Sequence, residues 1–265
     1  MYLEYWGLKK PPFGNVPDSN IFYESPQHEE ALFRLLFAVK HRKGVAMLTG
    51  EVGCGKTTVS RAFIQRISTD NFEVHTITNP ALDPMDLIRA VLMKFGEDAE
   101  SDSKSILLSR LQNRLGRNAE QGLSTALIID EAHVVSNRAT FEELRMLLNL
   151  QLENQFLITL ILIGQPPLLD KISALQPLNE RIAIKYHLEP LDFVNMIRYL
   201  LFRLQRVGAK RGIFTKDSVK ALYDYSGGIP LRINNIGDRS LLVGFMKKVN
   251  VVSKSIVEEA IEDLK

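Results

Sequence analysis

Cysteine, net charge and long apolar runs are all scarce in this sequence. A single cysteine, Cys54, excludes an intramolecular disulfide framework and suits a reducing compartment. Lys and Arg total 33 against 31 Asp and Glu, so the net charge is only +2. No global field therefore singles out nucleic acid or a membrane surface, although local basic patches stay compatible with this balance. The longest apolar run, residues 156–163, has eight residues including a threonine, too few to span a bilayer. Residues 1–6 carry neither the basic nor the long apolar region of a secretory signal, so the chain reads as cytoplasmic. Core-forming material is plentiful: 45% of 265 residues are hydrophobic, enough for one large domain or one with a small companion.

The stretch Gly50-Glu51-Val52-Gly53-Cys54-Gly55-Lys56-Thr57, followed by Thr58, fits the phosphate-loop pattern G-x-x-x-x-G-K-[ST] at every fixed position. Its flanks fit as well. Residues 45–49 form a short apolar run suited to a buried parallel strand. Residues 57–67 carry Val59, Phe63, Ile64 and Ile67 at helical spacing. Glycines let the backbone bend around an anion while its N–H groups and the helix start cradle phosphates. Lys56 is then placed to reach the β- and γ-phosphates of ATP, and the Thr57 hydroxyl to take one Mg²⁺ position.

A second informative stretch, Thr125-Ala126-Leu127-Ile128-Ile129-Asp130-Glu131, is an apolar strand ending in two carboxylates. Alone it reads as an acidic turn after a core strand. Downstream of a phosphate loop it reads as the acidic partner strand, with Asp130 an oxygen ligand for Mg²⁺ and Glu131 the group that polarises the attacking water. The run Asp130-Glu131-Ala132-His133 also matches a helicase label that nothing else supports, and His133 reads as a local packing or capping residue. Residues 157–163 form another strand, ending at Gly164-Gln165-Pro166-Pro167, and Gln165 is the candidate γ-phosphate sensor.

Strands at 45–49, 72–77, 125–129 and 157–163, and a fifth short one that residues 178–184 lead into and that ends near 188–190, alternate with helices at 27–41, 57–67, 85–95, 106–115 and 141–152. That alternation predicts a three-layer α/β domain with a five-stranded parallel sheet over residues 1–190. The ligand is expected beyond the carboxyl ends of the strands, where all three candidate groups fall. Helical patterns at 193–206, 215–225, 232–249 and 253–264 predict an all-helical domain over 191–265. Residues 1–27, with Pro11, Pro12, Pro17 and Pro26 among Tyr5, Trp6, Phe13, Phe22 and Tyr23, read as an extended strap on the α/β body. The strap either covers core surface or in part lines the adenine pocket. The row Arg110, Arg114 and Arg117 reads as a solvated face.

Tyr5-Trp6-Gly7-Leu8, Pro11-Pro12-Phe13, Pro17-Asp18 and Leu48-Thr49-Gly50-Glu51-Val52-Gly53 resemble the start of the ExeA-like AAA+ ATPases of general secretion pathway protein A type. Gly164-Gln165-Pro166, Arg181 before Leu188-Glu189-Pro190-Leu191, and Ser226-Gly227-Gly228-Ile229-Pro230 continue the likeness over nearly the whole chain. The resemblance implies a P-loop ATPase domain with a C-terminal helical lid, working as a ring or filament of identical subunits. It implies ATP and Mg²⁺ bound between subunits and Arg181 as the arginine finger. Arg232 is similar to the lid's second sensor arginine, yet Leu231 stands where that arginine commonly follows the proline. A one-residue step turns a helix by about 100°. Cys54 also departs from the more usual serine or threonine. The family's tasks imply a protein partner in a membrane export or pilus-type apparatus and recruitment to the inner membrane through a partner or a further segment. The alternative, also within related ATPases, is an ATP-switched DNA-binding regulator of transposition type, for which Arg110, Arg114, Arg117, Lys210-Arg211 and Lys247-Lys248 are the candidate contacts. A module that binds nucleotide with negligible hydrolysis is a third possibility.

Overall fold

The computed structural model describes residues 1–15, 22–67, 71–101, 103–152 and 155–264; Pro17 and Asp18 lie outside them. They form two compact units. One comprises residues 30–50 and 59–188, the other residues 1–29, 51–58 and 189–265.

The first unit is built on strands β1 (Val45–Gly50), β2 (Phe72–Ile77), β3 (Ser124–Ile129), β6 (Thr159–Gly164) and β7 (Ile182–Leu188), with a small antiparallel hairpin of β4 (Gln151–Leu152) and β5 (Gln155–Phe156). The five-stranded sheet is parallel throughout, in the order β2-β3-β6-β1-β7. All six residues of β1 and of β6 are buried, as unbroken apolar runs in a doubly covered sheet require. Val45, Met47, Leu127, Ile129, Leu160 and Leu162 share a core with Leu87 and Val91 of α4 (Pro84–Lys94), Leu107 and Leu111 of α5 (Lys104–Glu120), and Leu144 of α6 (Arg138–Leu147). The alternate residues Ala46, Leu48, Ile128, Ile161 and Ile163 are equally buried. So are Leu32, Leu35 and Val39 of α2 (Pro26–Lys40) and Val59 and Phe63 of α3 (Lys56–Ile67).

Two elements differ from the sequence pattern. The helix read over 141–152 starts at Arg138 and stops at Leu147. Leu148 and Leu152 continue the i, i+4 spacing of Leu144, but the chain tightens to i→i−3 bonds at Leu148, Asn149 and Leu150 and turns into the hairpin. There the Phe156 ring lies where a Gly44 side chain would otherwise stand. Helix α5 is longer than the pattern over 106–115, and its arginines are paired: Arg110 with Asp98 at 2.7 Å, Arg114 with Glu73 at 2.8 Å, and Arg117 with Glu97. The row is thus neutralised within its own unit.

The second unit contains α9 (Phe193–Arg206), α10 (Lys216–Ser226), α11 (Pro230–Met246) and α12 (Lys254–Glu262). Asp192 and Thr215 cap α9 and α10 by accepting the backbone N–H groups of Asn195 and Ser218. The N-terminal strap, attached by the sequence pattern to the α/β body, packs here instead. It opens with the short helix α1 (Tyr2–Tyr5), and Trp6, Leu8 and Phe13 join the core with Leu200, Ile236 and Val257. Gly237 and Gly244, two turns apart on α11, make the room: a Cβ on either would approach Phe13 or Trp6 to 2.8 Å. Trp6 Nε1 donates to the Leu241 carbonyl at 2.9 Å, and the buried Arg203 donates to the Pro12 and Gly14 carbonyls. Among the described residues no helix is long and apolar enough to cross a membrane.

Candidate functional site

The phosphate-loop residues leave β1 at Gly50 and enter α3 at Lys56. Gly50 is required by close approach, since a Cβ there would sit 2.6 Å from the Leu188 carbonyl oxygen. Gly53 (φ +84°) and Gly55 (φ +101°) adopt backbone that L side chains rarely take. A Cβ on Gly53 would meet Leu231 Cβ at 2.5 Å, and one on Gly55 would meet His28 Nε2 at 2.7 Å. Glu51 and Val52 are exposed and Thr57 and Thr58 half-buried. Cys54 is fully buried, and that burial pushes its thiol pKa up, so it serves as a small apolar residue held as a neutral thiol. The departure from serine or threonine therefore leaves the loop's backbone intact.

Lys56 is only 7% exposed, and its Nζ donates to the Glu51 carbonyl across the loop at 2.9 Å. An ammonium taken out of water costs several kcal/mol unless compensated. A buried lysine at the first turn of a helix, below glycines with positive φ, is a donor set that fits a polyphosphate. Leu231, rather than Arg232, stands over this loop: its N–H donates to the Gly53 carbonyl at 3.3 Å, while Arg232 is exposed. The one-place shift seen in the sequence thus puts an apolar residue and a helix-start N–H where a sensor guanidinium was considered.

In the sheet unit, Asp130 and Gln165 follow the carboxyl ends of the paired strands β3 and β6. Asp130 is buried; its N–H donates to the Ile77 carbonyl and its Oδ1 accepts the Glu131 N–H, both at 2.9 Å. Its carboxylate carries the oxygen chemistry a hard divalent cation prefers. Glu131 has φ +54° and ψ +34°, a left-handed conformation costing on the order of 1–3 kcal/mol for a residue with a side chain. Its Oε2 lies 3.2 Å from His133 Nδ1, and the same Nδ1 lies 3.4 Å from the Gln165 backbone nitrogen. One ring nitrogen can donate to the carboxylate or accept from the amide, but not both. His133, read from sequence as a packing residue, thus lies within reach of both candidate groups at the strand ends and can bond one of them at a time through Nδ1. Lys171 of α7 (Pro167–Ser173) steadies the turn by donating to the carbonyls of His133 and Val135. Arg181 is half-buried and donates to the Arg145 carbonyl at 3.3 Å, away from Asp130, Glu131 and Gln165 in the bonding pattern.

His28 and the contact of Leu231 with Gly53 escaped the sequence reading, because no local pattern ties a residue at another helix start to the loop. The spacing Ser25-x-x-His28 at the start of α2 was the only available signal.

Three kinds of likeness bear on this arrangement. The family model described as AAA domain matches residues 39–172. General secretion pathway protein A of Aeromonas hydrophila is 37% identical over 251 residues, 93% of this chain and 45% of that protein, so the chain spans less than half of that relative. The Aeropyrum pernix ORC2 protein in its ADPNP–ADP complexes superposes with TM-score 0.67 at 16% identity, covering 96% of this chain and 71% of that one. Drosophila ORC bound to DNA gives 0.73 at 16% identity, covering 100% and 66%. Cdc6p from Pyrobaculum aerophilum gives 0.69 at 18%, covering 95% and 70%. At such identities the structural likeness is one of fold.

Proposed function

The chain belongs to the AAA domain family, and from that premise we propose that it is an Mg²⁺-dependent ATPase, active between identical subunits, whose nucleotide-driven assembly serves a membrane export or pilus-type apparatus. The observation that carries the ATPase reading is the buried Lys56 at the head of α3, beneath a loop whose glycines leave no room for side chains. In this reading residues 50–58 bind the phosphates of ATP, with Lys56 on the β- and γ-oxygens. Thr57 and Asp130 would hold Mg²⁺, which would supply positive charge against those oxygens. Glu131 orients the attacking water and takes its proton, Gln165 senses the γ-phosphate, and Arg181 acts on a neighbouring subunit's nucleotide. Arg232 is exposed and drops to a minor part in this scheme. The export task rests on the likeness to the secretion pathway relative alone.

The test measures ATP affinity and phosphate release together, with molecular mass by light scattering. Glu131→Gln should keep ATP affinity while turnover falls about 10²–10⁴-fold, since only the base is lost. Lys56→Ala should weaken binding itself by roughly 10–100-fold, the worth of a charge-assisted contact. Arg181→Ala should bind ATP, assemble and fail to turn over. Wild-type protein that neither binds ATP nor releases phosphate would end the reading.

A second reading, ATP-switched DNA binding, draws on one feature. The exposed Lys9, Lys10, Lys210 and Arg211 lie close together because the Lys9 N–H donates to the Val207 carbonyl at 2.8 Å. Among the described residues none of the four is ion-paired, whereas Lys247 is held by Glu259. Duplex binding that falls steeply with salt would support it; binding absent with and without a non-hydrolysable ATP analogue would remove it.

A further inference from the structure

We infer that His28 is a positioning residue for the phosphate loop: it holds the Cys54 carbonyl and so sets the direction of the Gly55 N–H. The inference rests on the nucleotide-binding reading above.

The geometry is specific. His28 Nε2 lies 3.0 Å from the Cys54 carbonyl oxygen, and His28 Nδ1 lies 2.6 Å from Ser25 Oγ. Ser25 is fully buried and His28 is 4% exposed. A carbonyl only accepts, so Nε2 must carry the proton; in a neutral ring Nδ1 is then the acceptor, filled by the Ser25 hydroxyl. Burial pushes the His28 pKa down and favours that neutral ring, against smaller opposing effects of the Cys54 carbonyl and the Glu24 carboxylate. Phe22 closes the other side, edge-on at 5.8 Å.

The peptide bond between Cys54 and Gly55 is trans, so its C=O and N–H point opposite ways. Fixing the carbonyl on the ring turns the Gly55 N–H to the other side of the loop, where the reading above places phosphate. The preceding carbonyl, that of Gly53, is tied by the Leu231 N–H. Two successive carbonyls are thereby held by groups distant in sequence. A histidine merely satisfied in a core would not require a neighbouring glycine. Here Gly55 leaves Nε2 the very space that a side chain would fill. Preorganised amides bind an anion without first being reordered.

The experiment uses the full chain with fluorescent ATP and ADP analogues, with thermal unfolding measured without nucleotide. Gln places an amide nitrogen near the position of Nε2, whereas Leu keeps apolar bulk without a donor. His28→Leu should weaken both nucleotides ~10-fold, the equivalent of one buried hydrogen bond, and His28→Gln should stay within ~3-fold of wild type. Ser25→Ala, which frees the ring tautomer, should fall between them. Equal affinity for His28→Leu and wild type overturns the inference, as does equal loss in the Leu and Gln variants. If His28→Leu does not fold, a ~10-fold loss in a folded His28→Gln overturns it, and retained affinity there with a loss in Ser25→Ala supports it. Wild-type protein that binds neither analogue removes the nucleotide reading, and this inference with it; a binding wild type with indifferent variants removes the inference alone.

Discussion

The two units put their candidate residues in place by different means. In the sheet unit, Asp130 and Gln165 are carried on the ends of adjacent parallel strands, and the ladder that pairs Ile129 with Leu162 fixes their spacing through backbone alone. In the other unit, the phosphate-loop residues are held by side chains and amides from elsewhere in the chain, His28 on Cys54 and Leu231 on Gly53. That unit also draws its core from residues at both ends of the chain, Trp6 and Phe13 beside Ile236 and Val257. The strand-end residues thus depend on the regular backbone ladder, and the glycine loop on individual contacts from elsewhere in the chain. Substitutions far from the loop in sequence should therefore disturb binding more readily than they disturb the acidic strand end.

The largest effect that would sharpen this contrast is Trp6→Ala. It should destabilise the protein by about 3–5 kcal/mol, read by denaturant unfolding, because it opens a cavity against Gly244 and frees the Leu241 carbonyl. A loss under 1 kcal/mol would mean that the strap is not part of the core and that the contrast is false. Arg203→Met should follow, at about 1.5–3 kcal/mol, since a charged donor to the strap carbonyls is replaced by an apolar chain. Its signature is early proteolytic cutting within residues 1–29, with the rest of the chain protected; uniform sensitivity would contradict it.

The smallest effect concerns the sheet unit and acid. Glu73 is held below the usual glutamate pKa: burial alone would raise it, but hydrogen bonds from His75 and Asn118 and the Arg114 guanidinium outweigh burial. A depressed folded pKa gives stability that is fully present above the unfolded value, near 4.5, and lost as pH falls through the folded value. Glu73→Gln should therefore unfold with a shallower dependence on pH below about 4.5 than wild type while being less stable at neutral pH. Parallel pH profiles for the two proteins would show that this network does not stabilise the edge of the sheet.

Much of this architecture was legible before any coordinates. Apolar runs gave away β1, β3 and β6, and the pattern Gly50 to Thr57 announced a glycine-rich turn between strand and helix. Helix α9 runs over the same residues as its helical pattern, Phe193 to Arg206. The hairpin after α6 was not legible, because Leu144, Leu148 and Leu152 keep an i, i+4 helical spacing while a tightened turn and the Phe156–Gly44 packing redirect the chain. The strap's destination was hidden too. Trp6 and Phe13 announce that they will be buried, but only Gly237 and Gly244, far along the chain, say where. Arg232 shows the middle case: its displacement was visible, and the structure supplies Leu231 as what stands over Gly53.

The sequence by itself determined the parallel sheet, the succession of its elements along the chain and the glycine loop between β1 and α3, because periodicity and turn chemistry act over a few residues. Only the tertiary structure decided what orients that loop, what pairs the α5 arginines and which core receives the strap. Those outcomes depend on contacts between residues whose separation along the chain leaves no local trace, and on space that a single missing Cβ makes available.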